Sequence, residues 1–283
     1  MLYFAMVILD CQDVHIQRSL PPHNRKTRMF IEKTCVVVTG AASGIGRALC
    51  RALAQRGAAH VICTDIDLAG AQAVASEING MAFELDVSSE DQISHLISCV
   101  EETIAPIDLF CSNAGILTLG GVDVDNDSWQ RTWDINVMSH VWAARHMVPR
   151  MVERGGGYLL NTASAAGLLN QIGAAPYGVT KHAAVGLAEW LAITYGDLGI
   201  GVSVLCPQAV RSKMIRGLED DVASIDGILE PEVVASACIE AIENETFLIL
   251  PHGKVLDYMR AKTTDYDRWL SGMRKLKSIY VKH

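Results

Sequence analysis

Apolar positions along the chain fall into two kinds of run that take turns. From residue 35 onward, short continuous runs of Val, Ile, Leu, Cys and Thr precede longer Ala- and Leu-rich segments. A short continuous apolar run suits a strand buried on both faces, and a longer periodic segment suits a helix. The pattern predicts strands near 35–39, 60–64, 81–85, 109–112, 158–162, 202–206 and 247–250. It predicts helices near 44–56, 68–78, 90–103, 128–153 and 231–243, and one that carries Tyr177 and Lys181 to about 198. Pro149 should disturb the last turns of the 128–153 helix, because a ring inside a helix removes a hydrogen bond. Strand and helix in strict alternation make an α/β fold, a parallel sheet covered by helices on both faces.

Both ends depart from this pattern. Residues 1–28 hold Pro21, Pro22 and the basic cluster Arg25, Lys26 and Arg28 without any clear period. They read as an N-terminal extension, poorly ordered or loosely docked. Residues 29–283 read as a single catalytic domain, with a polar loop at about 208–230 and a basic helical tail at about 255–283.

Composition narrows the function classes. Half of the 283 residues are apolar and 20% are charged, enough for a large core. A net charge of −8 argues against a nucleic-acid surface, which needs a basic patch. The eight cysteines form no C-x-x-C pair, so a zinc site of that kind is not expected, and four lie in strand-like runs. The nine histidines are scattered, so no metal is expected. Unpaired thiols fit a reducing compartment. No apolar run approaches the ~20 residues of a membrane span. The apolar start, Met1 to Leu9, lacks a positive n-region. The expected location is cytoplasmic, with neither membrane nor nucleic acid as a partner.

Three clusters carry candidate chemistry. Gly40, Ser43, Gly44, Ile45 and Gly46 join the first strand to the first helix. Glycines there allow a tight turn and close approach of a ligand, and the helix N-terminus behind them offers free N–H groups to a pyrophosphate. Asp65 ends the second strand 19 residues after Gly46. A carboxylate there can accept from a ribose hydroxyl and repels a 2′-phosphate, which favours NAD and makes NADP the lesser choice. Arg47 is the one nearby cation against that preference. Asp65 has an alternative role as a helix cap, for which Asp67 is the better candidate. Asp86 and Val87 follow the third strand, where Asp86 either meets an adenine or caps the next helix.

The third cluster is Ser164 with Tyr177 and Lys181. Four positions apart on a helix, Tyr177 and Lys181 share a face. An ammonium beside a phenol favours the phenolate, so the tyrosine pKa should fall and allow proton exchange near neutral pH. Alone, the pair reads first as two exposed neighbours, so the rest of the chain has to decide.

Taken in order, Thr39-Gly-x-x-x-Gly-Ile-Gly46, Asp86-Val87, Ser112-Asn-Ala-Gly115, Asn136, Ser164, Tyr177-x-x-x-Lys181 and Pro207 resemble the classical short-chain dehydrogenase/reductase family. The resemblance covers about 33–250. It implies a single Rossmann-type, doubly wound sheet of about seven strands and nicotinamide-dependent, metal-independent interconversion of alcohols and carbonyls. By that resemblance Tyr177 is the general acid/base, Lys181 tunes it and holds the nicotinamide ribose, and Ser164 holds the substrate oxygen. Asn136 holds a water that links Lys181 to solvent. Asn113 stabilises the sheet centre, and Pro207, Val210 and Ser212 lie against the nicotinamide. Ser164 stands 13 positions before Tyr177, the family's spacing, and is preferred to Thr162.

The sequence departs from the family after the sixth strand. Gln208 replaces the usual glycine, and Leu250-Pro-His-Gly253 with the basic tail replaces a glycine-rich ending. The substrate pocket is expected around Ser164, Gln171, Tyr177, Gln208 and Met214. A homodimer or homotetramer is implied by the family alone. Two other functions remain: an NADPH-dependent carbonyl reductase, and a catalytically silent nucleotide-binding regulatory protein.

Overall fold

In the computed structural model, which describes residues 29–280, a seven-stranded parallel sheet runs through the middle of the domain. The extension 1–28 lies outside the described residues. The sheet comprises β1 (Cys35–Thr39), β2 (His60–Asp65), β3 (Met81–Glu84), β4 (Leu109–Ser112), β5 (Gly157–Thr162), β6 (Ile200–Leu205) and β7 (Leu248–Ile249). Their order is β3-β2-β1-β4-β5-β6-β7, so the winding reverses between β1 and β4. Ligands in such sheets bind at the carboxyl ends of the strands beside that reversal.

Each central strand serves two cores, because successive side chains point to opposite faces. Val37 and Phe110 pack on one side with Met147, Met151 and Leu191. Val36, Val38 and Leu109 pack on the other with Leu49, Leu53 and Ile242. All five residues of β1 are buried, which is why its sequence shows no polar alternation. The helices on these faces are α1 (Gly44–Gln55), α2 (Leu68–Ile78), α3 (Glu90–Thr103), α4 (Asn126–Trp133), α5 (Ser139–Glu153), a single turn α6 (Ala166–Leu169), α7 (Ala175–Tyr195) and α8 (Pro231–Glu243). Asp67, Ser89 and Asp125 accept from the free N–H groups that open α2, α3 and α4.

The predicted helix over 128–153 is not one helix. It breaks into α4, a π-turn at Asp134–Met138 and α5. Pro149 does not mark the break: it lies inside α5, which continues through it to Glu153. The break falls where Asn136 turns inward to bond another segment, and π-turns concentrate at such positions. The C-terminal tail folds as α9 (Lys254–Thr264) and α10 (Tyr266–Tyr280), separated at Asp265. The loop after β6 contains two 3-10 turns, Lys213–Ile215 and Val222–Ser224.

Candidate active site

The carboxyl ends of β1 to β6 open into one cleft of about 1540 Å³. Of the predicted site residues, Gly40, Ser43, Gly44, Ile45, Asp65, Asp86, Val87, Asn113, Ser164, Gln171, Tyr177, Lys181, Pro207, Gln208, Val210, Ser212 and Met214 all line it. Gly46 and Asn136 stand behind the wall.

The dinucleotide end is shaped by the glycine-rich turn. Gly40 has φ +69°, in the left-handed region that glycine tolerates. A Cβ on Gly46 would lie 2.1 Å from the Gly40 carbonyl oxygen, so the turn closes only because that atom is missing. No acidic side chain occupies the first turn of α1, and the Ser43 side chain does not cap it. The N-terminal N–H groups of α1 are thus not claimed by side chains, and this donor set fits a pyrophosphate.

Asp65 is held in place by two backbone donors. Its Oδ2 accepts from Ala42 N–H and its Oδ1 from Asp67 N–H, each at 2.9 Å. Asp67 is the cap of α2, accepting from Gly70 N–H at 3.0 Å. Arg47 is drawn away from the cleft and bonds Glu77 at 2.9 Å. Asp86 uses Oδ1 to accept from the Ser88 N–H and hydroxyl, while Ser89, not Asp86, caps α3.

A chain of hydrogen bonds runs from this turn to the floor of the cleft. The Thr39 hydroxyl accepts from the N–H groups of Asn113 and Ala114, at 2.9 and 3.0 Å. Asn113 Nδ2 donates to the Thr39 carbonyl, and its Oδ1 accepts from the Thr162 hydroxyl. Asn113 therefore ties the ends of β1, β4 and β5 together. The Thr162 carbonyl in turn accepts from Lys181 Nζ at 2.9 Å. Asn136 is fully buried. Its Oδ1 accepts from Ile116 N–H at 2.9 Å, and its Nδ2 donates to the Ile116 carbonyl and the Thr180 hydroxyl. A Cβ on Gly115 would come within 3.2 Å of Asn136 Oδ1 and 3.4 Å of Lys181 Nζ, so the strand-four turn passes directly over both.

Ser164 follows β5 and is buried. Its hydroxyl donates to the Pro207 carbonyl at 3.3 Å and accepts from Ala166 N–H at 3.1 Å. Tyr177 and Lys181 lie one turn apart on α7, with Nζ 5.6 Å from the ring centroid. The expected fall in the Tyr177 pKa is not found. Burial pushes the phenol up, and the neighbouring Ser164 hydroxyl opposes this only in part. Burial also depresses Lys181, to about 8. The ammonium points at the Thr162 carbonyl rather than at the phenol oxygen, and enclosure penalises the charged form of both groups.

Gln208 lines the cleft as expected, and its side chain and backbone are both bonded within the protein. Its Nε2 donates to Asp226 Oδ2 at 3.1 Å, and its backbone N–H donates to His252 Nδ1 at 3.2 Å. Asp226 also accepts from Tyr258 and pairs with Lys254. An ionised carboxylate collects these donors, which outcompetes pointing the amide at open space.

Several residues in the cleft or behind its wall escaped the sequence reading. His140, one turn beyond Asn136, is buried and bonded to Asn161 Oδ1 at 2.9 Å. Burial and the Lys181 charge lower its pKa to about 4. Its signal, one of two histidines in α5, is indistinguishable from that of a core residue. Asp127 and Arg131 enter from α4, and Asp134 from the π-turn that follows it. Trp269, Met273 and Leu276 enter from α10, outside the family pattern. Among the described residues, no group of three or more His, Cys, Asp or Glu side chains is placed to hold a metal ion. No helix among them is long and apolar enough to cross a membrane.

Comparison with known proteins agrees with this geometry. The short chain dehydrogenase family profile matches residues 34–223. The chain is 31% identical over 253 residues to 1-deoxy-11-beta-hydroxypentalenate dehydrogenase of Streptomyces exfoliatus, covering 86% of this chain and 92% of that protein. It is 34% identical over 183 residues to 2-keto-3-deoxy-L-fuconate dehydrogenase of Xanthomonas campestris pv. campestris, covering 64% of this chain and 59% of that protein. A short-chain dehydrogenase/reductase from Burkholderia phymatum, solved in complex with NAD, superposes with a TM-score of 0.79 at 26% identity, covering 84% of this chain and 96% of that one. With a sheet that reverses beside a glycine-rich turn and a Ser–Tyr–Lys set at its carboxyl edge, the chain belongs to the short-chain dehydrogenase/reductase family, and it is an oxidoreductase that moves hydride between a nicotinamide dinucleotide and an alcohol or carbonyl group.

Proposed function

We propose that this protein is an NAD-preferring dehydrogenase that oxidises a secondary alcohol to its ketone. The observation that carries the reading is the convergence of Ser164, Tyr177 and Lys181 in one cleft with the glycine-rich turn and Asp65. The oxidised nicotinamide, when bound, would supply the hydride-accepting carbon and a positive charge. Ser164 holds the carbinol oxygen through its hydroxyl, and Tyr177 takes the hydroxyl proton as its phenolate, a form that the positive charge of the bound dinucleotide would favour against the burial that raises the phenol. Lys181 stands below the phenol, braced by the Thr162 carbonyl, and helps the tyrosine give its proton back to solvent. Asn136 orders the segment above Lys181. One alcohol and one oxidised dinucleotide give one ketone, one reduced dinucleotide and one proton.

The preference for NAD is supported by Asp65, whose carboxylate closes the end of β2, and by Arg47, which Glu77 engages. The relatives named above act on different substrates, so their names do not choose one for this chain. A cytoplasmic setting belongs to the same reading, supported by seven free thiols among the described residues. So does a homodimer or homotetramer, for which the exposed face of α7 is the supporting feature.

Turnover with NAD and with NADP, compared side by side across an alcohol panel, tests the proposal. Tyr177→Phe should lower kcat by roughly a thousandfold or more, the scale of losing a positioned acid/base. A Tyr177→Phe enzyme at the wild-type rate would sink the mechanism. Asp65→Ala should narrow the NAD/NADP ratio of kcat/KM by roughly tenfold, about the value of one charged hydrogen-bonding group. An unchanged ratio would reduce Asp65 to a turn-stabilising residue.

A further inference from the structure

The cleft is larger than its dinucleotide end requires. Single-ligand pockets measure roughly 300–1,000 Å³, and this one measures about 1540 Å³. The surplus lies away from the glycine-rich turn, between α6, the loop after β6 and the C-terminal helices. Leu169, Ile172, Met214, Leu218, Trp269 and Met273 line it.

The C-terminal helices are fastened there by specific contacts. Val255 of α9 is fully buried against Ala165 and Leu169, and Trp269 packs on the same cluster. Lys262 Nζ donates to the Leu168 carbonyl at 2.6 Å. The Tyr258 hydroxyl donates to Asp226 Oδ1 at 3.1 Å, and Lys254 Nζ reaches the same oxygen at 3.2 Å. Ala165 is the residue after Ser164, so the apolar wall begins beside the serine hydroxyl. Trp269, Met273 and Leu276 are spaced i, i+4 and i+7, which puts them on one face of α10.

Many polar groups at this end are already engaged with one another, and among the described residues Gln208 Oε1 and the Ser224 hydroxyl are the buried ones left without a partner. The Gln208 amide N–H and the Tyr258 hydroxyl both donate to Asp226. Asn170 Oδ1 accepts from Gln171 N–H at 2.8 Å. Asp221 Oδ1 accepts from Val222 N–H, and Asp134 Oδ1 from Gln130. Asp265, between α9 and α10, and Arg268, in the first turn of α10, also line the cleft, but both are solvent-exposed. A ligand rich in hydroxyls would lose its water here without enough free donors and acceptors in return. An apolar body loses nothing of that kind.

We propose that the substrate is a bulky, largely apolar secondary alcohol or its ketone, whose body lies in a chamber roofed by α10, with Trp269 as the specificity-determining residue. This rests on the dehydrogenase reading above and names the substrate class of that site. Two ring systems, or a chain of similar bulk, fit the chamber; a small alcohol leaves it unfilled.

The test uses the full chain with NAD and three kinds of alcohol: small (2-propanol), bulky apolar (decahydro-2-naphthol and a 3-hydroxysteroid) and polyhydroxylated (sorbitol). The wild-type kcat/KM should be highest for the bulky group, by roughly a hundredfold over 2-propanol, as expected from burying one or two further large apolar groups. Trp269→Ala should lower kcat/KM for the bulky alcohols by roughly ten- to a hundredfold, chiefly through KM, the scale of one large buried side chain. The loss should be much smaller on 2-propanol, which does not reach α10, and NADH binding, read by calorimetry, reports the dinucleotide end. Trp269→Phe should recover most of the loss. Met273→Ala repeats the test from the next turn of α10 if the tryptophan variant does not fold. Preference for sorbitol, or an equal loss on every substrate in both alanine variants, would overturn the chamber while leaving the dehydrogenase intact. No turnover of any alcohol by the wild type, with NADH binding retained, would instead overturn the dehydrogenase reading on which the chamber rests.

Discussion

Tyr177 and Lys181 show how enclosure changes the meaning of a residue pair. Helical spacing puts them on one face, and proximity alone argues for an acidified phenol. Burial of both groups reverses that sign: the phenol rises and the ammonium falls to about 8. His140 extends the same lesson and carries a pH prediction. Its folded pKa is about 4, against an ordinary 6.5. Between those values the unfolded chain takes up a proton that the folded protein refuses. The stabilisation is therefore complete above pH 6.5 and is lost as pH falls towards 4, amounting to roughly 3 kcal/mol at 1.36 kcal/mol per unit. His140→Gln keeps a donor for Asn161 and removes the titration. Urea unfolding at pH 6.5 and pH 5 should show a smaller acid loss in this variant than in the wild type. An equal loss in both proteins would assign the acid sensitivity to carboxylates elsewhere.

At the scale of elements, most strands and helices were legible because each obeys a local rule. The helices 68–78, 90–103 and 231–243 match the structure residue for residue, each opened by a cap or a proline that the sequence displays. The 128–153 helix was misread because the residue that interrupts it, Asn136, is disruptive only through its bonds to Ile116 and Thr180, 20 and 44 positions away. Pro149 has the stronger local signature, yet α5 runs through it. The outward face of α7 carries a different message. Val179, Trp190 and Ile193 lie within one sector of that helix and are 48%, 54% and 83% exposed. Apolar residues gathered on one face mark an association surface more often than isolated ones do. Ile193→Glu should shift the proposed oligomer towards monomer in light scattering, with the circular-dichroism spectrum unchanged. An unaltered mass would place the subunit contact on another face.

For the whole molecule, the reversal of strand order between β1 and β4 gathers the site. It opens a crevice into which six strands deliver their ends, and it brings Asp65 and Tyr177, 112 positions apart, to the lining of one cleft. The predicted cofactor and catalytic positions converge there because the family's ordered motifs encode turns at strand ends, which are local events. The substrate side was far less legible. Gln208 was singled out as unusual, but its partner Asp226 lies 18 positions on, and their shared partners lie in α9 and the turn before it. The tail showed itself only as helical and basic, while its Trp269, Met273 and Leu276 became a wall of the cleft.

By itself, then, the sequence determined the alternation of strand and helix, the glycine-rich turn, the acid at the end of β2 and the one-turn spacing of Tyr177 and Lys181. Each depends on backbone sterics, helical period or capping among residues close in the chain. Only the tertiary structure decided which charges survive burial, where the long helix breaks, which way Gln208 turns and what roofs the substrate side. Those outcomes depend on competition for water and hydrogen-bond partners among groups that the fold alone brings together.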